Sequence, residues 1–244
     1  MRPLYLVDLD DTLFQTNRKM TDAQRVGATI ASTLEDGSPS GYRTLRQQYF
    51  MELLKKGDVV PVTARNRSVM ARVEVPQAPA ICSNGGMIID SSGHVDRKWH
   101  DEIATHIGNG EKMRGIHDAI SQAAGPMFRN WIVKDEGLEL YIVFKHNGSD
   151  DMAITDLKDL ILREKLSEGW DIHSNGNNLS VLPPWVSKRK AVRYVIETTR
   201  AKDPERLIIG AGDSRSDLPF MMECDFAIIP TQSQIAKSIE GTIS

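Results

Sequence analysis

The chain has 244 residues, 40% of them hydrophobic, which is enough to bury a real core in one large domain or two smaller ones and excludes a disordered or fibrous protein. Thirty Lys and Arg against thirty-three Asp and Glu leave a net charge of −3, so net charge supplies none of the attraction that drives non-specific nucleic-acid binding. Cys82 and Cys224 are too few for a disulfide scaffold and have no close Cys or His at metal-ligand spacing, so both read as buried thiols in a reducing compartment.

The first element is the continuous apolar run Pro3 to Val7, which reads as a strand buried on both faces of a parallel sheet. It is too short for a signal peptide, and no later run approaches the roughly 20 apolar residues that span a bilayer. A cytoplasmic protein with no membrane partner is expected. Residues 17–41 give no firm assignment, because Thr33 to Gly41 is rich in turn formers. A helix follows over Tyr42 to Lys56, with Leu45, Tyr49, Leu53 and Leu54 at helical spacing and Gly57 as its stop. Val59 to Thr63 is a second buried strand.

The rhythm changes between Ser83 and Pro184. A hairpin around Ser91-Ser92-Gly93, a helix from Asp101 to Ala124 and strands at Phe128 to Val133 and Leu138 to Lys145 are expected. A further helix, Asp151 to Glu168, then leads to strands at Trp170 to His173 and Leu179 to Leu182. After this come a helix at Lys188 to Arg200, strands at Leu207 to Ala211 and Phe226 to Ile229, and a helix at Asp217 to Glu223. Strand and helix alternate outside the insert, which implies an α/β fold with a doubly wound, Rossmann-like parallel sheet. The stretch inside is an inserted α+β module. The expected boundaries are 1–84 and 185–244 for the sheet domain and 85–184 for the insert, with Asn84-Gly85-Gly86 and Pro183-Pro184 as hinges.

Chemistry-bearing residues gather at strand ends. Asp8-Leu9-Asp10-Asp11-Thr12 follows the first strand, at the edge where open α/β sheets bind ligands. Asp8 and Asp10 start out on one side of the strand, and two close carboxylates need a cation or a proton between them. The bland alternative is an acidic turn in which Asp11 and Thr12 cap a helix. Gly210-Ala211-Gly212-Asp213-Ser214 with Asp217 repeats the pattern, either as further oxygen ligands or as ordinary helix-start residues. Thr63, followed by Ala64 and Arg65, offers a hydroxyl and backbone N–H groups to an anion, although a terminal threonine is commonly just a cap. Lys188 and Lys190 open a helix, where the macrodipole disfavours cations unless an anion is near; a solvated basic turn is the alternative. In the insert, Arg129, Trp131, Lys145 and His146 are candidates for a polar pocket, with packing or solvent exposure as the ordinary reading. Met221 and Met222 read as core.

Taken together, these segments resemble the haloacid-dehalogenase-like (HAD) superfamily of aspartate-nucleophile phosphohydrolases, over nearly the whole chain. Asp8, Asp10 and Thr12 match its DxDxT motif, Val59 to Thr63 its second motif, Lys188 to Val192 its third, and Gly212, Asp213, Ser214 and Asp217 its GDSxxD. The long stretch between Thr63 and Lys188 resembles the large α/β cap of the Cof-type and sucrose-phosphate-phosphatase-like branches. Ser83-Asn84-Gly85-Gly86 looks like the turn at which such chains leave the core. The sequence departs from the pattern where Asp11, Ala64 and Arg189 replace common glycines, which leaves Lys188 and Lys190 both open as the motif lysine.

The resemblance implies a Mg2+-dependent phosphoric monoester hydrolase acting on a small phosphorylated metabolite, with a sugar phosphate the expected class and an aspartyl phosphate the intermediate. By the same resemblance Asp8 is the nucleophile and Asp10 the acid/base. Asp8, Asp10 through its main-chain carbonyl, Asp213 and Asp217 hold the metal. Thr12, Thr63, Ala64, Arg65, Asn84 and Lys188 hold phosphate or substrate, and the cap closes over the site. A phosphosugar mutase using the same intermediate is the nearest rival, followed by a signalling receiver module and an idle phosphate-binding protein. Neither nucleic acid nor membrane is an expected partner, and the chain is expected as a monomer or homodimer.

Overall fold

The computed structural model describes residues 2–108, 110–148 and 150–243. Two compact units emerge, Met1–Asp96 with Lys188–Ser244, and Arg97–Ser187. The first unit runs on to Asp96, beyond the position 84 at which the sequence places its edge, because the hairpin after residue 80 packs within it.

The first unit is built on a parallel sheet of order β12-β11-β1-β4, in which β1 is Leu4–Val7, β4 Asp58–Pro61, β11 Ile208–Ala211 and β12 Phe226–Ile228. β1 pairs with β11 on one side and β4 on the other, and all four of its residues are buried, which is why its sequence is uniformly apolar. Because the chain leaves β1 towards one neighbour and later returns to the other, the carboxyl end of β1 is the topological switch point, where open α/β sheets bind ligands. A backbone bridge from Val62 to Ile81 extends the sheet towards β5 (Ala80–Cys82), which turns back into β6 (Met87–Ile89).

Residues 17–43 form a 3-10 turn at Asn17–Lys19, a short helix α1 (Asp22–Arg25) and the hairpin β2 (Thr29–Thr33) and β3 (Pro39–Arg43). The helix expected from Tyr42 therefore starts later. Helix α2 is Leu45–Leu54, because Thr44 and Gln47 form a capping box: the Thr44 hydroxyl accepts the Gln47 main-chain N–H, and the Gln47 side-chain Oε1 accepts the Thr44 N–H. Gly57 ends the segment for a packing reason. A Cβ there would stand 2.4 Å from the Pro3 carbonyl oxygen, so only glycine lets the chain enter β4 beside β1. A short helix α3 (Arg67–Met70) follows β4.

The second unit carries an antiparallel sheet of order β7-β8-β10-β9, with β7 Phe128–Asp135, β8 Leu138–His146, β9 Asp171–Asn175 and β10 Asn178–Leu182. The single helix expected over 101–124 is two, α4 (Arg97–Ile107) and α5 (Glu111–Ala124), separated where Gly108 and Gly110 take positive φ. Helices α5 and α6 (Asp151–Arg163) bury Met113, Ile120, Ile154, Leu157 and Ile161 against Ile142, Phe144, Leu179 and Val181 of the sheet. Returning to the first unit, α7 (Lys188–Arg200) buries Ala191, Val192 and Ile196. It is followed across β11 by α8 (Leu218–Met221), shorter than the helix expected at 217–223, and after β12 by α9 (Gln234–Ile243).

Two packing expectations are corrected. Met222 is 75% exposed, since α8 turns only Phe220 and Met221 inward, and Cys224 is partly exposed where Cys82 is buried. Among the described residues no helix is long and apolar enough to cross a membrane.

Candidate active site

The carboxyl ends of β1 and β11 bring together residues about two hundred positions apart. The Asp8 N–H donates to the Ala211 carbonyl at 2.9 Å, continuing the β1–β11 ladder one step past the strand and fixing the Asp8 main chain. The chain then turns sharply. Asp11 takes a left-handed φ of 64°, its N–H donates to the Phe14 carbonyl at 2.8 Å, and the Leu13 N–H donates to the Leu9 carbonyl at 2.9 Å. That turn sends the buried Thr12 back over Asp8, where its hydroxyl lies 3.3 Å from Asp8 Oδ2 and 3.4 Å from Asp213 Oδ1.

Asp213 follows β11 and Asp217 precedes α8. Between them the Ser214 N–H and hydroxyl both donate to Asp217 Oδ2, at 3.0 and 2.6 Å. Gly212 is required here, because a Cβ on it would stand 2.6 Å from the Cβ of Asp217. Carboxylate oxygens of Asp8, Asp213 and Asp217, all three residues buried, lie within 4.8 Å of one another. Lys188, the first residue of α7, reaches into this group: its Nζ is 2.6 Å from Asp8 Oδ1 and 2.8 Å from Asp217 Oδ1. Lys190, two residues on, is exposed, which separates the two lysines that the sequence leaves equivalent.

The electrostatics follow from burying three acids with one base. Desolvation, then the charge of Asp217, raises the Asp8 carboxyl well above its ordinary range, with Lys188 opposing the rise. Asp213 is raised to about 7 by burial, Asp217 and Asp11. Asp217 goes the other way: burial disfavours its charge, but Lys188 and the Ser214 donors outweigh burial and lower it. Burial likewise pulls the Lys188 ammonium down, but Asp217 and Asp8 overcome this and raise it, so it stays charged. One ammonium cannot neutralise three buried carboxylates, and the remaining charge is carried by hard oxygen donors of the kind that Mg2+ prefers. The residues present thus fit a divalent cation.

Asp10 is handled differently. Its carboxylate receives a bidentate fork from Arg65, Nε to Oδ2 at 2.9 Å and Nη2 to Oδ1 at 2.7 Å. The guanidinium lies over the Phe14 ring, 5.2 Å from its centroid. Among the described residues the acidic group therefore comprises Asp8, Asp213 and Asp217, without the Asp10 side chain.

Thr63 is fully buried at the same sheet edge, two residues past the Val7–Pro61 register pair. Its hydroxyl accepts the Arg65 N–H at 3.1 Å and its carbonyl accepts the Asn84 N–H at 3.0 Å, while the Ser83 N–H donates to the Arg65 carbonyl at 2.8 Å. Ser83 and Asn84 both have positive φ, so the Thr63-Ala64-Arg65 loop is stitched to a second irregular loop, and Ala64 is exposed on it. In the second unit, His146 is buried with its Nδ1 2.9 Å from the Gly148 carbonyl oxygen, whereas Trp131 is exposed.

Two residues act on the site in ways the sequence did not reveal, Asp11, read there only as a cap and a departure from the motif, and Lys19. Asp11 adds negative charge beside Asp213, and Lys19, ion-paired with Asp11, opposes it. The left-handed turn at Asp11 carried a weak signal, an aspartate where the motif has glycine. Lys19 lies in the segment without a firm assignment and gave none.

No protein-family model and no curated protein matches this chain. Solved structures do match in fold. The sucrose-phosphatase of Synechocystis sp. PCC6803, determined with sucrose and phosphate, is 16% identical with a TM-score of 0.56, and the match covers 100% of this chain and 98% of that one. The C-terminal domain of Candida albicans trehalose-6-phosphate phosphatase is 15% identical with a TM-score of 0.56, covering 100% and 78%. A Thermoplasma acidophilum protein is 15% identical with a TM-score of 0.55, covering 99% and 98%. The chain has the HAD-like fold, a parallel four-stranded core sheet with a separate antiparallel-sheet cap.

Proposed function

We propose that the chain is a Mg2+-dependent phosphomonoesterase that cleaves a small phosphorylated metabolite through an aspartyl phosphate on Asp8. The observation that carries this reading is the buried cluster in which Lys188 Nζ touches both Asp8 and Asp217 while Asp213 completes the acidic group. Mutually repelling carboxylates held this close are costly to fold around unless a cation is part of their use.

Asp8, Asp213 and Asp217 would hold the ion, which when bound supplies charge neutralisation between a carboxylate nucleophile and a phosphate dianion. The remaining chemistry belongs to the side chains. An Asp8 oxygen attacks phosphorus, the bond from phosphorus to the leaving oxygen breaks, and a proton from Asp10 goes to that oxygen. Water then attacks phosphorus, Asp10 takes the water proton, the acyl phosphate bond breaks and Asp8 returns to a carboxylate, so one difficult displacement becomes two easier ones. Lys188 keeps its charge next to the transferring group, and the buried Thr63 hydroxyl with the N–H groups of its loop receives the phosphoryl oxygens, since phosphoryl transfer is mostly positioning and charge neutralisation. To serve a leaving group Asp10 must leave Arg65 and take up a proton from solvent, which the water of the second step then restores. In our reading the incoming phosphate competes for that guanidinium. A sugar phosphate is the proposed substrate class, by analogy with the sucrose-phosphatase and trehalose-6-phosphate phosphatase that share the fold.

The test is phosphate release from an aryl phosphate and from a panel of phosphorylated sugars, sugar acids and nucleotides, with Mg2+ and with EDTA. Release that needs Mg2+ and ranks sugar phosphates highest by kcat/KM supports the reading. No release from any member, or release indifferent to EDTA, contradicts it.

A further inference from the structure

Helix α2 is apolar on two faces. Its inner face buries Met51 and Leu54, while its outer face leaves Leu45 47%, Tyr49 68% and Leu53 49% exposed. Isolated exposed apolar residues are ordinary, but these three are spaced four apart and form one line along the helix. Gln48 donates to the Gly27 carbonyl at 2.8 Å, which ties the residue after the exposed Val26 to the helix. Nothing among the described residues covers this face.

The charges that flank this face, one on either side, carry a symmetry. Arg46 precedes Tyr49 by three residues and Glu52 follows it by three, just as Leu45 and Leu53 flank it by four, and all are exposed. We infer that this face pairs with the same face of a second copy of this chain, the two α2 helices running antiparallel about a two-fold axis near Tyr49. In such an isologous contact residue i meets j while j meets i. That brings Leu45 of one copy to the level of Leu53 of the other, and Arg46 to the level of Glu52 at both ends of the seam. A parallel pairing of the two helices would instead bring Arg46 to the level of Arg46 and Glu52 to the level of Glu52. The intrachain Glu52–Lys55 pair is exposed and of the weak i,i+3 kind, so it does not withhold Glu52 from this contact. One helix stripe buries less than the roughly 1,000 Å² of a firm interface, so the association is concentration-dependent. It is independent of the proposed phosphatase activity, because none of its residues belongs to the acidic site.

Sedimentation equilibrium of the full chain over a concentration series into the submillimolar range tests it. The expected result is a mass that rises from the 27.2 kDa monomer towards the dimer. Arg46→Glu and Glu52→Arg should each weaken dimerisation about tenfold or more, since each change acts twice across the axis, and the double exchange should restore it. Tyr49→Cys should cross-link to itself under mild oxidation. A chain that stays monomeric throughout, a dimer indifferent to the single exchanges, or a double exchange no better than either single one overturns the inference. All of these substitutions are on the surface, so circular dichroism should stay unchanged in each.

Discussion

Lys188 and Asp8, 180 residues apart in sequence, meet with the ammonium 2.6 Å from the carboxylate, and the same ammonium is 2.8 Å from Asp217. The contact joins the first turn of α7 to the end of β1, so the resident cation of the site is also a tie between the two ends of the first unit's chain. Because the carboxyls are buried, their energetics depend on each other and on whatever cation is present.

Replacing Lys188 by Met should leave two buried carboxylates uncompensated. Removing one partner of a buried pair typically costs about 3–5 kcal/mol, and the loss should be larger at pH 8 than at pH 5, where Asp213, raised to about 7, takes up a proton. Urea unfolding at the two pH values measures it. Phosphate release should fall by about 100-fold or more, as when a preorganised charge stabiliser is lost.

Stability without metal should depend on pH in a defined sense. Asp213 is raised from 3.8 to about 7 by burial, Asp217 and Asp11, and Asp8 is raised by burial and Asp217. A folded-state pKa above the unfolded value contributes stability that is fully present below the unfolded pKa and lost as pH rises through the folded one. The Tm of EDTA-treated protein should therefore decline between about pH 4 and pH 7 from Asp213, with Asp8 acting in the same direction. Asp217, lowered by Lys188 and Ser214 against burial, acts only below that window. Mg2+ should raise Tm more at pH 8 than at pH 5, because protons compete for its ligands. A Mg2+ effect that does not grow with pH would contradict the assignment of the ligands.

Gly212→Ala should disable the site with little effect elsewhere. The added methyl would stand 2.6 Å from the Asp217 Cβ and 3.0 Å from the Met221 sulfur, so Asp217 must move. Overpacking of this kind costs about 1–3 kcal/mol. Mg2+-dependent stabilisation, read by calorimetry, should be lost in this variant while the fold persists.

Arg65→Ala removes the fork on Asp10 and the stack on Phe14. Once the phosphate has drawn Arg65 off Asp10, the same guanidinium orients the transferring group, and misplacement of reacting groups by an ångström costs on the order of 100-fold, so kcat should fall by about that much while Tm shifts little. Arg65→Lys supplies one donor in place of two and should recover only part of the rate. Steady-state kinetics of both variants check this. A drop confined to KM would assign Arg65 to substrate binding alone.

The fold was legible where a single force dominates. Leu4–Val7 and the strands beside it read as buried because both faces of a parallel sheet are covered, and acidic residues following apolar runs mark the sheet edge. The hairpin of residues 29–43 was not legible, since Thr29–Thr33 and Pro39–Arg43 mix apolar, polar and turn-forming residues and are half exposed, without an apolar–polar alternation to reveal a face. The start of α2 was written in Thr44 and Gln47 but was masked by the apolar Tyr42, which the hairpin claims for β3. The split between α4 and α5 turns on Gly108 and Gly110, whose left-handed φ depends on tertiary context. Asp8, Asp213 and Asp217 stood out by motif. The Arg65 fork on Asp10 did not, because a pairing across 55 positions depends on how two loops meet at one edge.

The central claim is covalent chemistry at Asp8, and its most direct test is to trap the phosphoryl enzyme. Asp10→Asn should accept a phosphoryl group from an activated aryl phosphate and release it slowly. Acid quenching, digestion and mass spectrometry should then find the added phosphoryl mass on the peptide containing Asp8, and nowhere in Asp8→Asn, which should not turn over. Undiminished turnover by Asp8→Asn, or a phosphoryl group mapped to another residue, would contradict the account.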